Sequence, residues 1–122
     1  MLIIENEVIY LTKGDDAIIS VAISNDDNSI YEMKDGDMLT LTVKKTPSDS
    51  STVQLTATSS SNNIVLTHEQ TSKINTGRYS CDIQLTTADG YRYTIFPTLP
   101  LSKRSFISNY DNFVIMPEVT TT

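Results

Sequence analysis

Apolar and polar residues alternate along most of this chain. Leu39, Leu41 and Val43 fall on one side of an extended backbone, with Thr40, Thr42 and Lys44 on the other; Val53, Leu55 and Ala57 repeat the arrangement against Gln54, Thr56 and Thr58. The same period runs through Ile19, Val21 and Ile23, and again through Tyr79, Cys81, Ile83 and Leu85, with Ser80, Asp82, Gln84 and Thr86 between them. A two-residue period belongs to strands with one buried and one wet face. No window has comparable helical spacing. Turn-forming residues separate the runs at Lys13-Gly14-Asp15-Asp16, Asn25-Asp26-Asp27-Asn28, Lys34-Asp35-Gly36-Asp37, Pro47 to Ser51, Ser59 to Asn63 and Ala88-Asp89-Gly90. The expected strands are residues 7–12, 17–24, 37–45, 52–58, 63–67, 78–87, 90–97 and 112–119, each bounded to within a few residues. The one helical signal is Thr67-His68-Glu69-Gln70, whose spacing suits a capping box and supports a turn or two.

Composition narrows the picture to one compact body. With 122 residues the chain is long enough to bury a core without a metal or a disulfide, and residues 1–122 are expected to form one β-sandwich domain, its core at about 7–119 and its termini short and flexible. The single Cys81 has no partner for an internal disulfide and suits a reducing compartment. Against 9 Lys and Arg stand 15 Asp and Glu, a net charge of −6, which disfavours capture of nucleic acid or an anionic membrane. Neither a signal-length apolar leader nor a bilayer-length apolar run is visible, so the expected place of synthesis is the cytoplasm.

Residues 76–81 decide the fold class. In immunoglobulin-like sandwiches a tyrosine two residues before the core cysteine bonds back to the main chain and closes a corner; Tyr79 and Cys81 have that spacing, after the expected helical turn and before the alternating 82–87 stretch. The expectation is a single immunoglobulin-like antiparallel β-sandwich of about seven to eight strands. Tyr79, Cys81, Ile83 and Leu85 form its structural core.

Several further pieces occur in a recognisable order. They are Thr12-Lys13-Gly14-Asp15, the Tyr31 to Val43 stretch with Asp35-Gly36-Asp37, then Gly77-Arg78-Tyr79, the 82–86 strand, Ala88-Asp89-Gly90, Tyr93-Thr94-Ile95, Phe113-Val114-Ile115 and Glu118-Val119-Thr120. Together they resemble small structural proteins of prophages of low-GC Gram-positive bacteria, similar in pattern to the N-terminal domain of phage baseplate upper proteins. The resemblance covers roughly residues 8 to 120. It implies a virion structural protein of the tail, baseplate or head–neck region, found in the particle once assembled, with other virion or assembly proteins or further copies of itself as partners. The chain departs from the pattern between Thr98 and Asn112, where a longer segment stands in place of a short Pro-containing bulge.

Candidate chemistry is sparse. His68 is the only histidine and belongs to the capping turn, and Cys81 alternates with core residues, where a thiol behaves as a small hydrophobe. One His and one Cys make no ordinary zinc site, and neither a phosphate loop nor a Gly-x-Ser-x-Gly elbow occurs. No enzyme and no cofactor are expected. The carboxylates Asp15, Asp16, Asp26, Asp27, Asp35 and Asp37 fall in turns; calcium would need several to converge, whereas Asp and Asn in turns ordinarily bond their own backbone, so no metal site is expected. Tyr91 and Tyr93 share a face of a late strand, and Tyr31 and Tyr110 fall in loops. Their ordinary role is core and edge packing, but exposed tyrosines would serve the alternative function, a carbohydrate-binding or adhesive module. The 99–112 segment is long for a connection within a sandwich and carries Leu99, Leu101, Phe106, Ile107 and Tyr110 beside Lys103 and Arg104. Leu101, Lys103, Arg104 and Phe106 are the expected partner contacts, with Phe106 as anchor and the basic pair on the rim. The competing role for this segment is to cover a sheet edge.

Overall fold

The computed structural model describes residues 2–5, 8–25, 27–46, 52–97 and 112–118, the first four by their backbone alone. It is an all-β sandwich of two sheets. The strands are β1 (Leu2–Glu5), β2 (Val8–Thr12), β3 (Ala17–Ser20), β4 (Met38–Lys44), β5 (Val53–Ser59), β6 (Asn63–Leu66), β7 (Gly77–Thr86), β8 (Arg92–Phe96) and β9 (Phe113–Met116), with one short helix, α1 (His68–Ser72). The larger sheet runs β1-β2-β9-β7-β4-β5, with β8 also paired to β7, and the smaller is β3-β6.

Alternation puts the core between these layers. Leu39, Leu41 and Val43 of β4, Leu55 and Ala57 of β5, and Tyr79, Cys81, Ile83 and Leu85 of β7 are buried, as are Ile9, Leu11, Phe113 and Ile115; Ala17, Ile19, Ile64 and Leu66 face them from the smaller sheet. Register brings like to like, with Leu41 opposite Ile83, Val43 opposite Cys81, Ile9 opposite Phe113, and Ile19 opposite Ile64. Each large aliphatic or aromatic side chain so buried stabilises by about 1.5–3 kcal/mol. Among the described residues six of the seven strand ladders are antiparallel, and β2 runs parallel to β9. This parallel pair departs from a purely antiparallel sandwich: the crossover that parallel strands need is here nearly the whole chain.

Two strands share one edge of β7. β7 has β4 along one edge, and on the other it pairs with β9 through 77–79 and with β8 through 83–86. Phe96 and Pro97, at the end of β8, are joined by a cis peptide bond, and Asn112, just before β9, donates its amide to the Tyr79 carbonyl.

Local chemistry fixes the corners. Thr67 caps α1 as expected: its hydroxyl accepts from the Gln70 amide at 3.3 Å while the Gln70 side chain accepts from the Thr67 amide at 2.9 Å. At the β5 to β6 crossing, where the chain changes sheets, the Ser59 hydroxyl donates to the Asn63 carbonyl at 2.7 Å and accepts from the Ser61 amide at 3.1 Å. The Asn62 side chain and carbonyl both bond the Val21 backbone, prolonging the β3-β6 ladder. Two strand expectations shift. β1 adds a strand before the first expected one, and β3 stops at Ser20: past Val21 the chain turns back on itself around the Asn-Asp turn, with Ile23 bonded to Tyr31 and a bridge between Ser24 and Ile30.

Candidate functional site

Asp37 is buried, 4% exposed, although it stands in a turn sequence. One carboxylate oxygen accepts from the Tyr31 hydroxyl and the Lys34 amide, and the other accepts from the Ala88 amide at 3.1 Å. The Tyr31 hydroxyl bond, followed by the two amide bonds, holds the Asp37 pKa below the ordinary carboxylate range against the opposing effect of desolvation. The same bond pushes the Tyr31 pKa up, helped by burial and by the charges of Asp37 and Asp89. Gly36 lets the two loops approach. Its φ is +91°, and a Cβ there would meet the Ala88 Cβ at 2.7 Å. Asp37 therefore locks the 31–37 loop to the turn between β7 and β8.

A second cluster sits where β9 meets β7. The Tyr79 hydroxyl donates to the Asn75 carbonyl at 2.6 Å, the corner bond expected from the spacing, and the Lys45 ammonium lies 4.8 Å from the centre of its ring. Cys81 is buried, and desolvation, aided by the neighbouring Asp82, pushes its thiol far above the ordinary range. That leaves no thiolate for nucleophilic work. Asn112 is fully buried and completes the β7 edge. Its side chain donates to the Cys81 carbonyl at 2.8 Å and accepts from the Cys81 amide at 2.7 Å, while its backbone bonds Tyr79 and Ile9. An amide side chain thus makes the ladder pair that neither β8 nor β9 supplies.

Two other turn carboxylates are hydrogen-bonded within the fold. Asp16 accepts from the His68 amide at 2.7 Å and faces its ring at 3.3 Å, and these contacts lower its pKa. Asp27 accepts from the Ser29 amide and hydroxyl in an Asx turn that lowers its pKa likewise. His68 itself is exposed, as a capping-turn residue would be. Among the described residues no three His, Cys, Asp or Glu side chains converge as metal ligands would. No helix among them is long and apolar enough to cross a membrane.

Two surfaces stand out. On the outward face of the smaller sheet Ile18 and Val65 are opposite each other and more than half exposed. Around them the same period exposes Ser20, Ala22, Ser24, Asn63 and Thr67, and Ile30 opposite Ser24; at the Thr67 end it adds one charged side chain, Asp16, which is bonded to His68. On the other layer Tyr91 and Tyr93 are 64% and 53% exposed. Tyr93 lies opposite the buried Leu85, so it points to the core side of the sheet, beyond the reach of the covering layer.

The expected partner contacts Leu101, Lys103, Arg104 and Phe106 lie outside the described residues, as do Tyr110 and Asp26. Of the expected core set, Tyr79, Cys81, Ile83 and Leu85 are all buried on one face of β7. Asn112 and Asp37 escaped the reading of the sequence. A buried Asn at the start of a strand has no local signature, whereas the Tyr31 and Asp35-Gly36-Asp37 spacing was visible as a turn. Compared with protein-family models, curated proteins and solved structures, the chain matches none.

Proposed function

We propose that this chain is a non-catalytic assembly protein with an immunoglobulin-like sandwich fold, a component of a phage or prophage particle that works through protein–protein contacts. The observation that carries this reading is the outward face of the β3-β6 sheet. In a chain of net charge −6 it presents Ile18 and Val65 as a facing aliphatic pair among hydroxyl and amide side chains, with Asp16 at its margin. Exposed β-branched pairs on a sheet face poor in charge are what a docking partner buries. The order of turn and strand motifs from residue 8 to residue 120, and the tyrosine corner, support the immunoglobulin-like and virion parts of the reading.

The test is composition of the particle. Particles purified on a density gradient from the cells that make this chain should contain it in fixed ratio to the other structural proteins. Ile18→Lys with Val65→Lys should lower that ratio while the isolated domain keeps its melting temperature. A chain missing from purified particles overturns the virion reading; a double variant incorporated like the parent overturns the docking face.

A second reading, a carbohydrate-binding module, has one observation in its favour: the exposure of Tyr91 and Tyr93.

A further inference from the structure

The two exposed tyrosines belong to a larger arrangement built by two loops that Asp37 ties together. The β7-β8 hairpin turns through Ala88, Asp89 and Gly90, closed by bonds between the Thr87 and Tyr91 backbones at 2.9 Å and from the Gly90 amide to the Thr87 carbonyl at 2.9 Å. Tyr91 leaves this turn with its amide held by the Thr87 hydroxyl at 3.1 Å. Tyr93 follows two residues later, so by the strand period both rings project from the core side of β8. Tyr31 comes from the other loop. Its hydroxyl is fixed by Asp37, whose second oxygen holds the Ala88 amide of the same hairpin. Lys34 places its ammonium 5.7 Å from the centre of the Tyr31 ring. Asp89 and Tyr93 both lie close enough to act electrostatically on the Tyr31 phenol.

We infer that Tyr31, Tyr91 and Tyr93, rimmed by Asp89 and Lys34, form an open shelf that binds a pyranose-based glycan. The inference rests on the carbohydrate-binding reading and gives it a place. The weakly positive C–H patches of a pyranose ring pack on the negative faces of aromatic rings, and its hydroxyls need both acceptors and donors at the rim. The shelf offers aromatic faces, a carboxylate and an ammonium. Asp89 and the acidic chain disfavour a polyphosphate ligand, and with it a nucleic-acid strand stacked on these rings. Asp37 also makes the site rigid before the ligand arrives: one buried carboxylate sets the spacing between the loop that carries Tyr31 and the hairpin that leads into Tyr91 and Tyr93. Preorganisation of this kind removes an ordering penalty that two free loops would incur on binding.

The experiment uses the whole chain and hexasaccharides of glucose, N-acetylglucosamine and galactose, followed by saturation-transfer NMR and by chemical-shift titration of the labelled protein. At least one hexasaccharide should bind with a dissociation constant of about 1 mM or tighter, with the largest shifts at residues 89–93. Tyr93→Ala should weaken it at least about tenfold, whereas Ile18→Ser, on the other layer, should leave it unchanged. Tyr91→Ala, at the more exposed ring, gives the same reading if Tyr93→Ala lowers the melting temperature. Binding that survives both tyrosine variants overturns the shelf and leaves the carbohydrate reading standing. No binding by any of the three sugars overturns both, without touching the assembly reading.

Discussion

Asn112 makes four hydrogen bonds from a position with no exposed surface, two from its side chain and two from its backbone. Asn112→Ala keeps the backbone pair and strands the amide and carbonyl of Cys81. Each unpaired buried group costs about 1–3 kcal/mol, so the variant should lose about 2–5 kcal/mol in urea unfolding. A midpoint equal to the parent's would mean that water or a shift of β8 replaces the side chain. Tyr79→Phe removes a single bond and keeps the ring. Its acceptor, the Asn75 carbonyl, belongs to an exposed residue that water can reach, so the expected loss is at the low end, about 0.5–1 kcal/mol, read from the same unfolding curves. Cys81 leaves a signature in alkali. Its folded pKa is raised, so its stabilising contribution is complete below the unfolded thiol value of about 8.5 and is lost as pH rises above it, by about 1.4 kcal/mol per pH unit. Cys81→Ala should therefore flatten the fall in stability between pH 8.5 and 10, and an unchanged slope would assign that fall to the tyrosines alone.

At the scale of elements, the strands were legible because each carries its own period: Tyr79, Cys81, Ile83 and Leu85 can share the core side only in an extended chain. The cap on α1 was legible for the same reason, since Thr67 and Gln70 are three residues apart. Asn112 was not, because its partner is 31 residues away and its role exists only where β8 and β9 part company along β7. Asp37 hid in a turn for a similar reason. Its burial depends on Ala88, 51 residues on, and local turn chemistry says nothing of that. Tyr91 and Tyr93 obey the alternation and yet are exposed, because sequence period assigns a side of the sheet and not how far the opposite layer extends. The Asp37 lock makes a prediction in acid. Its folded pKa is depressed, first by the Tyr31 hydroxyl, so its contribution is present above the unfolded carboxylate value of about 3.9 and is lost as pH falls through that value towards the lower folded one. Asp37→Asn should melt several degrees below the parent at pH 7, because its NH2 group must face a donor, either the Ala88 N–H on one side or the Lys34 N–H and Tyr31 hydroxyl on the other. That gap should narrow at pH 3. A gap that is equal at both pH values would mean that the carboxylate charge contributes nothing to the lock.

For the whole molecule, charge and shape act against each other. Fifteen acidic against nine basic residues make any two copies repel, and the repulsion is felt over the Debye length, about 10 Å at 0.1 M salt. The centre of the outward β3-β6 face adds little to that repulsion, since Ile18, Val65 and the hydroxyl and amide side chains around them carry no charge and Asp16 lies at the margin. It is also a two-stranded sheet, and a twofold axis beside either strand would bring the same residues of two copies together. If assembly includes copies of this chain, association should strengthen with salt, because screening removes the repulsion and leaves the apolar contact intact. The weight-average mass in sedimentation equilibrium should rise from 0.05 to about 0.5 M sodium chloride and stay at the monomer value for Ile18→Lys with Val65→Lys. Contacts made instead through opposite charges would show the reverse, a mass that falls with salt. A mass that stays monomeric throughout would assign the β3-β6 face to a different protein of the particle.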